Sequence, residues 1–211
     1  MEKRKTISPQ RTQRTQRTRS LIVSFLCVLC VLCGKSSFAV SPALATLPGD
    51  SVYQLRVPLT DQSGVATSLD RYRGQPVLVS MFYGSCPHVC PMLIATMQRY
   101  ERELPEGQRG RLRVLMVSLD PARDTPAKLT EVAERHRVDL ARWTLARTDA
   151  PSVRKLAAVL NIQYRQLPDG EFNHSTVITL LDGEGRPLRQ TSSMLRPDPD
   201  FSAALQAATR K

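Results

Sequence analysis

Two runs of almost unbroken apolar character, residues 77–83 (VLVSMFY) and 112–119 (LRVLMVSL), stand out along the chain. Runs of this length, rich in Val and Leu, predict strands covered on both faces. Between them Leu93, Met97, Tyr100 and Leu104 recur at helical spacing, and Pro91 suits a first turn, so residues 91–104 predict a helix. A second helix is expected to about residue 137, with Thr125 as N-cap and Pro126 at the first helical position. Further helices are expected over 151–160 and 198–208. Strands are expected at 143–146, 162–166, 174–181 and 186–190, the last two joined by the turn Asp182-Gly183-Glu184-Gly185. Ahead of all these, residues 50–60 and 64–70 read as short strands around the turn Asp61-Gln62-Ser63-Gly64. Strands alternating with helices, closed by a hairpin and a helix, predict an α/β domain with a mixed central sheet flanked by helices.

The first 45 residues follow a different pattern. A basic, repetitive stretch (RTQRTQRTRS) precedes thirteen mostly apolar residues, 21–33, and then a run of small residues to 45. This is the layout of an export signal: positive n-region, short apolar h-region, small residues at a cleavage site. The triplets Ser37-Phe38-Ala39 and Ala43-Leu44-Ala45 both suit cleavage. Thirteen apolar residues are short of the roughly twenty that span a bilayer, but uncleaved, the segment extends through residues 38–47 as an anchor. Either way the positive end stays in the cytoplasm and the body is exported. Residues 1–45 are therefore read as a signal peptide or N-terminal membrane anchor, and residues 46–211 as one periplasmic or periplasm-facing domain. A lipoprotein signal fits less well, because Leu29 and Leu32 precede Cys30 and Cys33 where a small residue is expected.

Charge changes little once the leader is set aside. The net charge is +11, but residues 1–45 hold eight of the 30 basic side chains and one of the 19 acidic ones. The remainder, 22 basic and 18 acidic, is only mildly basic, and aromatics make up 5% of the chain. Neither a basic footprint nor a stacking surface for nucleic acid is present. With 41% hydrophobic residues the chain is not disordered, and five cysteines in 211 residues do not make a disulfide-stapled miniprotein.

The cysteines locate the chemistry. Cys27, Cys30 and Cys33 belong to the leader, leaving Cys86 and Cys90 in the body. They fall in Gly84-Ser85-Cys86-Pro87-His88-Val89-Cys90-Pro91, between a predicted strand and a predicted helix, where reactive groups collect in α/β sheets. The positive end of a helix stabilises thiolate there, and a spacing of four puts both sulfurs on one side of a turn. A disulfide, a redox pair and a metal pair all fit. A purely structural disulfide fits least, since so short a loop gains little from closure.

Three histidines are present. His136 ends a charged helix and is expected to face water. His88, between the cysteines, is expected to point away from the sulfurs and to tune them through charge. His174 begins a predicted strand, and a two-thiolate site wants a third donor; copper(I) takes thiolate and imidazole well. Asp120-Pro121-Ala122-Arg123-Asp124-Thr125-Pro126 follows the second buried strand and reads as the start of a helix, or as a loop supporting a site on the same rim. Met81, Met92, Met97 and Met116 lie in apolar patterns and are expected in the core.

The segments CPHVCP, SLDPARDTP and NHSTVITLLDGEG, in this order, resemble the Sco/SenC family of copper-binding proteins linked to cytochrome c oxidase assembly. The resemblance covers residues 50–195. It implies a thioredoxin-like fold with an added N-terminal β-hairpin, and a copper ion held by Cys86, Cys90 and His174. It further implies a copper-acceptor site on an oxidase subunit as partner, or thiol-disulfide exchange at Cys86 and Cys90 with a thioredoxin-like reductant. Two positions depart from the family pattern: His88 and Asn173 stand where it commonly has Asp. Losing two acids beside the site favours copper(I) or thiol redox chemistry over copper(II).

Overall fold

The computed structural model describes residues 46–86 and 89–210. In chain order its elements are β1 (Leu59–Asp61), β2 (Ala66–Thr67), β3 (Val77–Phe82), α1 (Val89–Glu103), α2 (Glu106–Arg109), β4 (Arg113–Ser118), α3 (Pro126–Arg135), β5 (Trp143–Arg147), α4 (Ala150–Val159), β6 (Tyr164–Gln166), β7 (Phe172–His174), β8 (Ile178–Leu181), β9 (Pro187–Thr191) and α5 (Pro199–Thr209). Short 3-10 turns at Val52–Gln54 and Leu69–Tyr72 flank the first two strands.

Seven strands form one mixed sheet in the order β2-β1-β5-β4-β3-β8-β9. The two apolar runs become β3 and β4, paired in parallel with Val77 opposite Arg113 and Phe82 opposite Ser118. All six residues of β3 are buried, which is why the run shows no polar alternation. β5 lies parallel to β4, while β1, β8 and β9 run antiparallel to their neighbours. Leu93, Met97, Tyr100 and Leu104 are all buried, and Tyr100 stacks on Phe201 of α5 with centroids 4.8 Å apart. The helix starts follow capping chemistry. Thr125 Oγ1 accepts from the Lys128 N–H, Asp149 Oδ1 from the Ser152 N–H, and Asp198 Oδ1 from the Phe201 N–H, each with Pro in the first turn.

Four sequence expectations need correction. The strands read over 50–60 and 64–70 contract to three and two residues. Ser51 instead caps a 3-10 turn by accepting the Tyr53 N–H, and residues 69–72 wind into another. The Asp61–Gly64 turn between them stands, with Asp61 Oδ1 accepting the N–H groups of Ser63 and Val65. The strand read over 174–181 is two strands: β7 pairs with β6 in a separate two-stranded sheet, and β8 pairs with β3. A run of β-forming residues does not say which strand its two halves will pair with. Among the methionines, Met81, Met97 and Met116 are buried, but Met92 is 37% exposed on the outer side of α1. His136 caps α3 half-buried rather than free in water, its carbonyl accepting from Gln98 Nε2, and burial lowers its pKa. The leader reading for residues 1–45 lies outside the described residues. Among the described residues no helix is long and apolar enough to cross a membrane.

One buried carboxylate ties α1 to the sheet. Glu101 accepts from Trp143 Nε1 at 2.9 Å and from Arg142 Nε at 2.6 Å. Glu101→Ala strands a buried indole N–H and is expected to cost about 3 kcal/mol of stability. Glu101→Gln keeps one acceptor and is expected to cost less. Denaturant midpoints with unchanged m-values check both.

Candidate functional site

Because β3 and β4 are parallel, their C-terminal ends open onto the same rim. β3 runs out through Tyr83, Gly84, Ser85 and Cys86 before α1 begins at Val89. β4 runs out through Leu119 to Thr125 before α3. A single carboxylate binds the two loops together. Asp124 is 1% exposed, and its two oxygens accept the Gly84 N–H at 2.9 and 3.1 Å. Ser118 Oγ donates to the same carboxylate. Burial raises the Asp124 pKa, and these hydrogen bonds oppose the rise. A Cβ at position 84 would sit 2.5 Å from Asp124 Oδ1, so only glycine admits the contact.

Cys86 and Cys90 come together as the spacing predicts, with the Cys90 N–H donating to Cys86 Sγ at 3.3 Å. Neither is in a disulfide. The two environments differ. Cys86 is half-buried, and its sulfur faces an N–H of the first turn of α1, where the helix dipole favours negative charge. Cys90 is 3% exposed. Its hydrogen bond to Cys86 and its burial push its thiol well above the ordinary cysteine range. The pair is therefore an accessible sulfur backed by a buried, protonated one. His88 lies outside the described residues.

His174 ends β7 on the small β6–β7 sheet. Its ring packs edge-on against Tyr83, with centroids 5.8 Å apart, and Phe172 packs on the same tyrosine at 5.4 Å. Tyr83 also donates to the Phe172 carbonyl at 3.4 Å. Burial, the Cys86 sulfur and the Glu171 carboxylate together raise the Tyr83 pKa. Tyr83 thus stands between the dithiol and the histidine. His174 Nδ1 lies 3.1 Å from the Ser175 carbonyl, which makes Nδ1 the protonated nitrogen. Nε2 is buried and has no hydrogen-bond partner. An imidazole tied at one nitrogen to a backbone carbonyl, with a bare lone pair at the other, has the form of a metal ligand. The two cysteines are brought together, and the histidine packs on Tyr83, three residues before Cys86, but among the described residues no three His, Cys, Asp or Glu side chains form a group that could hold a metal ion.

Several supporting residues escaped the sequence reading. Tyr83 read only as the end of a strand. Arg123 read only as part of the Asp120–Pro126 segment, and Glu171 was not singled out. The Asp120–Thr125 loop starts a helix, the first of its two readings, and also braces the rim, the second, but the pattern Ser-Leu-Asp-Pro carried no sign of which distant backbone it would hold.

The rim is that of a dithiol protein with a thioredoxin-like fold. The chain belongs to the SCO1/SenC family, whose family model matches residues 49–209. The mitochondrial SCO2 protein of Saccharomyces cerevisiae is 27% identical over 131 residues, 61% of this chain and 44% of that one. The chain spans 42–66% of the length of the curated relatives it matches. Bradyrhizobium japonicum ScoI, solved with copper bound, is similar at 25% identity and TM-score 0.61, over 72% of this chain and 96% of that one. BsSco shares the fold at 20% identity and TM-score 0.62, over 72% and 91%; it is described as having a disulfide switch and as a member of the Sco family of cytochrome c oxidase assembly proteins.

The contrast between the cysteines has a direct test. Under reducing conditions at pH 7, iodoacetamide should alkylate Cys86 quickly and Cys90 slowly. Cys90→Ser should leave the fast phase, and Cys86→Ser should leave only the slow one, quickening at alkaline pH. Intact-mass time courses read both phases; equal rates at the two thiols would contradict the assignment.

Proposed function

We propose that this protein binds copper through Cys86, Cys90 and His174 and passes it to the copper-acceptor site of a respiratory oxidase subunit. The observation that carries this reading is the His174 ring. Its Nδ1 is held by the Ser175 carbonyl, while its buried Nε2 has no partner beside a dithiol. A buried ring nitrogen left without a hydrogen bond costs stability unless a ligand takes it. Two cysteine sulfurs and one imidazole suit copper(I), a soft ion. Membership of the SCO1/SenC family and the copper-bound ScoI of Bradyrhizobium japonicum support the same metal. On this reading copper is cargo. Capture draws the His174 hairpin and the dithiol loop together, and release proceeds by ligand exchange with the acceptor. Asn173 is exposed beside His174 and brings no negative charge, which favours copper(I). The leader of residues 1–45 exports the domain, leaving it in the periplasm or anchored facing it.

A second reading has its own observation. The accessible Cys86 beside the buried, protonated Cys90 is the arrangement of an attacking and a resolving thiol. In that role the protein reduces a disulfide at the acceptor's copper site and is itself reduced by a thioredoxin-like partner. His174 has no part in that exchange.

Titration of the reduced full chain with copper(I) against a chromophoric competitor separates the two. One tightly held copper per chain is expected, abolished by Cys86→Ser or Cys90→Ser and weakened more than about 100-fold by His174→Ala, the loss of a direct ligand exceeding the roughly 10–100-fold typical of an outer-shell change. No tight copper, together with a reversible Cys86–Cys90 disulfide, would establish the thiol-exchange reading instead.

A further inference from the structure

The β6–β7 sheet that carries His174 has two strands of three residues each and no hydrogen-bonded place in the seven-stranded sheet. A two-stranded hairpin is marginal by itself. What holds it against the dithiol rim therefore decides where His174 stands. Tyr83 grips it from the cysteine loop. The second grip comes from the loop after β4.

We propose that Arg123 is a positioning residue that clasps the His174 hairpin to the dithiol rim. The guanidinium spans three groups. Its Nε donates to the Asp120 carboxylate in an ion pair, its Nη2 donates to the Gly170 carbonyl in the hairpin turn, and its Nη1 lies 3.7 Å from Glu171 Oε1. The anchor end is firm. Asp120 is 4% exposed, its own N–H donates to Ser118 Oγ at 2.9 Å, and its carboxylate also accepts the Arg123 N–H at 3.3 Å. Isolated ion pairs between exposed side chains contribute little. This one differs, because a buried carboxylate holds the guanidinium in place and the far side of the fork meets a backbone carbonyl 47 residues away in sequence. Only the planar fork of arginine meets all three groups at once.

The neighbouring residue completes the geometry. Asp124 holds the Gly84 N–H of the cysteine loop, and Arg123 holds Gly170 and Glu171 of the histidine hairpin. One dipeptide after β4 thus spaces the thiols and the imidazole. The effect on copper rests on the function proposed above; the clasp itself does not, and it is measurable without metal.

The test uses the reduced full chain. In the copper-free protein, hydrogen exchange over residues 164–174 and the nuclear Overhauser contact between the Tyr83 and His174 rings are compared in wild type, Arg123→Ala and Arg123→Lys. Arg123→Ala should speed exchange in 164–174 and weaken the ring contact while β3 and β4 amides stay protected. Arg123→Lys, which keeps charge but not the fork, should fall between. Copper(I) affinity should drop about tenfold in Arg123→Ala. In a His174→Ala background Arg123→Ala should have no further effect on affinity. Unchanged exchange and ring contact in Arg123→Ala would overturn the clasp; an equal loss of affinity with and without His174 would overturn its action on copper through His174. Faster hairpin exchange in Arg123→Ala, combined with wild-type copper binding by His174→Ala, would uphold the clasp and remove His174 from the ligand set.

Discussion

The rim of this protein depends on Asp124. Its carboxylate is buried at the end of β4 and accepts the Gly84 N–H at the end of β3, so the two loops that leave the parallel strands cannot drift apart. The contact exists only because β3 and β4 are parallel neighbours and because position 84 has no side chain. Everything at the site is placed relative to it. Cys86 follows Gly84 by two residues, and Arg123 precedes Asp124 by one. A buried carboxylate with good donors is costly to disturb, since removing either side leaves polar groups unsatisfied in a low-dielectric interior.

Around that fixed point the groups divide into stiff and soft. Cys90 belongs to α1 and the core cluster, so the thiol with the raised pKa is also the one that cannot move. Cys86 sits in the loop before the helix and is accessible. His174 belongs to a small hairpin outside the main sheet, connected through Tyr83, Phe172 and the Arg123 fork. A site assembled from one rigid element and one lightly attached element suits the uptake and release of a ligand proposed above. A fully closed cage would hold its cargo too well, and a fully open one would not select it.

Local chemistry was largely legible in the chain. The buried strands β3 and β4, the helix cap at Thr125 and the Asp61–Gly64 turn all follow from interactions within a few residues. The two-cysteine segment at a strand-to-helix junction was legible for the same reason. The first strands were overread, because a β-rich composition at 50–60 does not show that Ser51 will cap a turn instead. Residues 174–181 were read as one strand because a run of β-forming residues looks the same whichever sheet a strand joins.

The sequence by itself marked out the side chains proposed to carry the chemistry: Cys86 and Cys90 through their spacing at a helix start, and His174 as the remaining donor through the family resemblance. Tertiary structure decided how they are used. It buried Cys90 and left Cys86 accessible, bound His174 Nδ1 to a carbonyl and left Nε2 bare, set Tyr83 between dithiol and imidazole, and carried Arg123 across to Gly170. The physical reason is range. Capping, turn formation and strand burial are settled by near neighbours and leave a pattern in the sequence, whereas burial, a lone pair without a partner and a guanidinium reaching 47 residues along the chain are properties of distances that only folding creates.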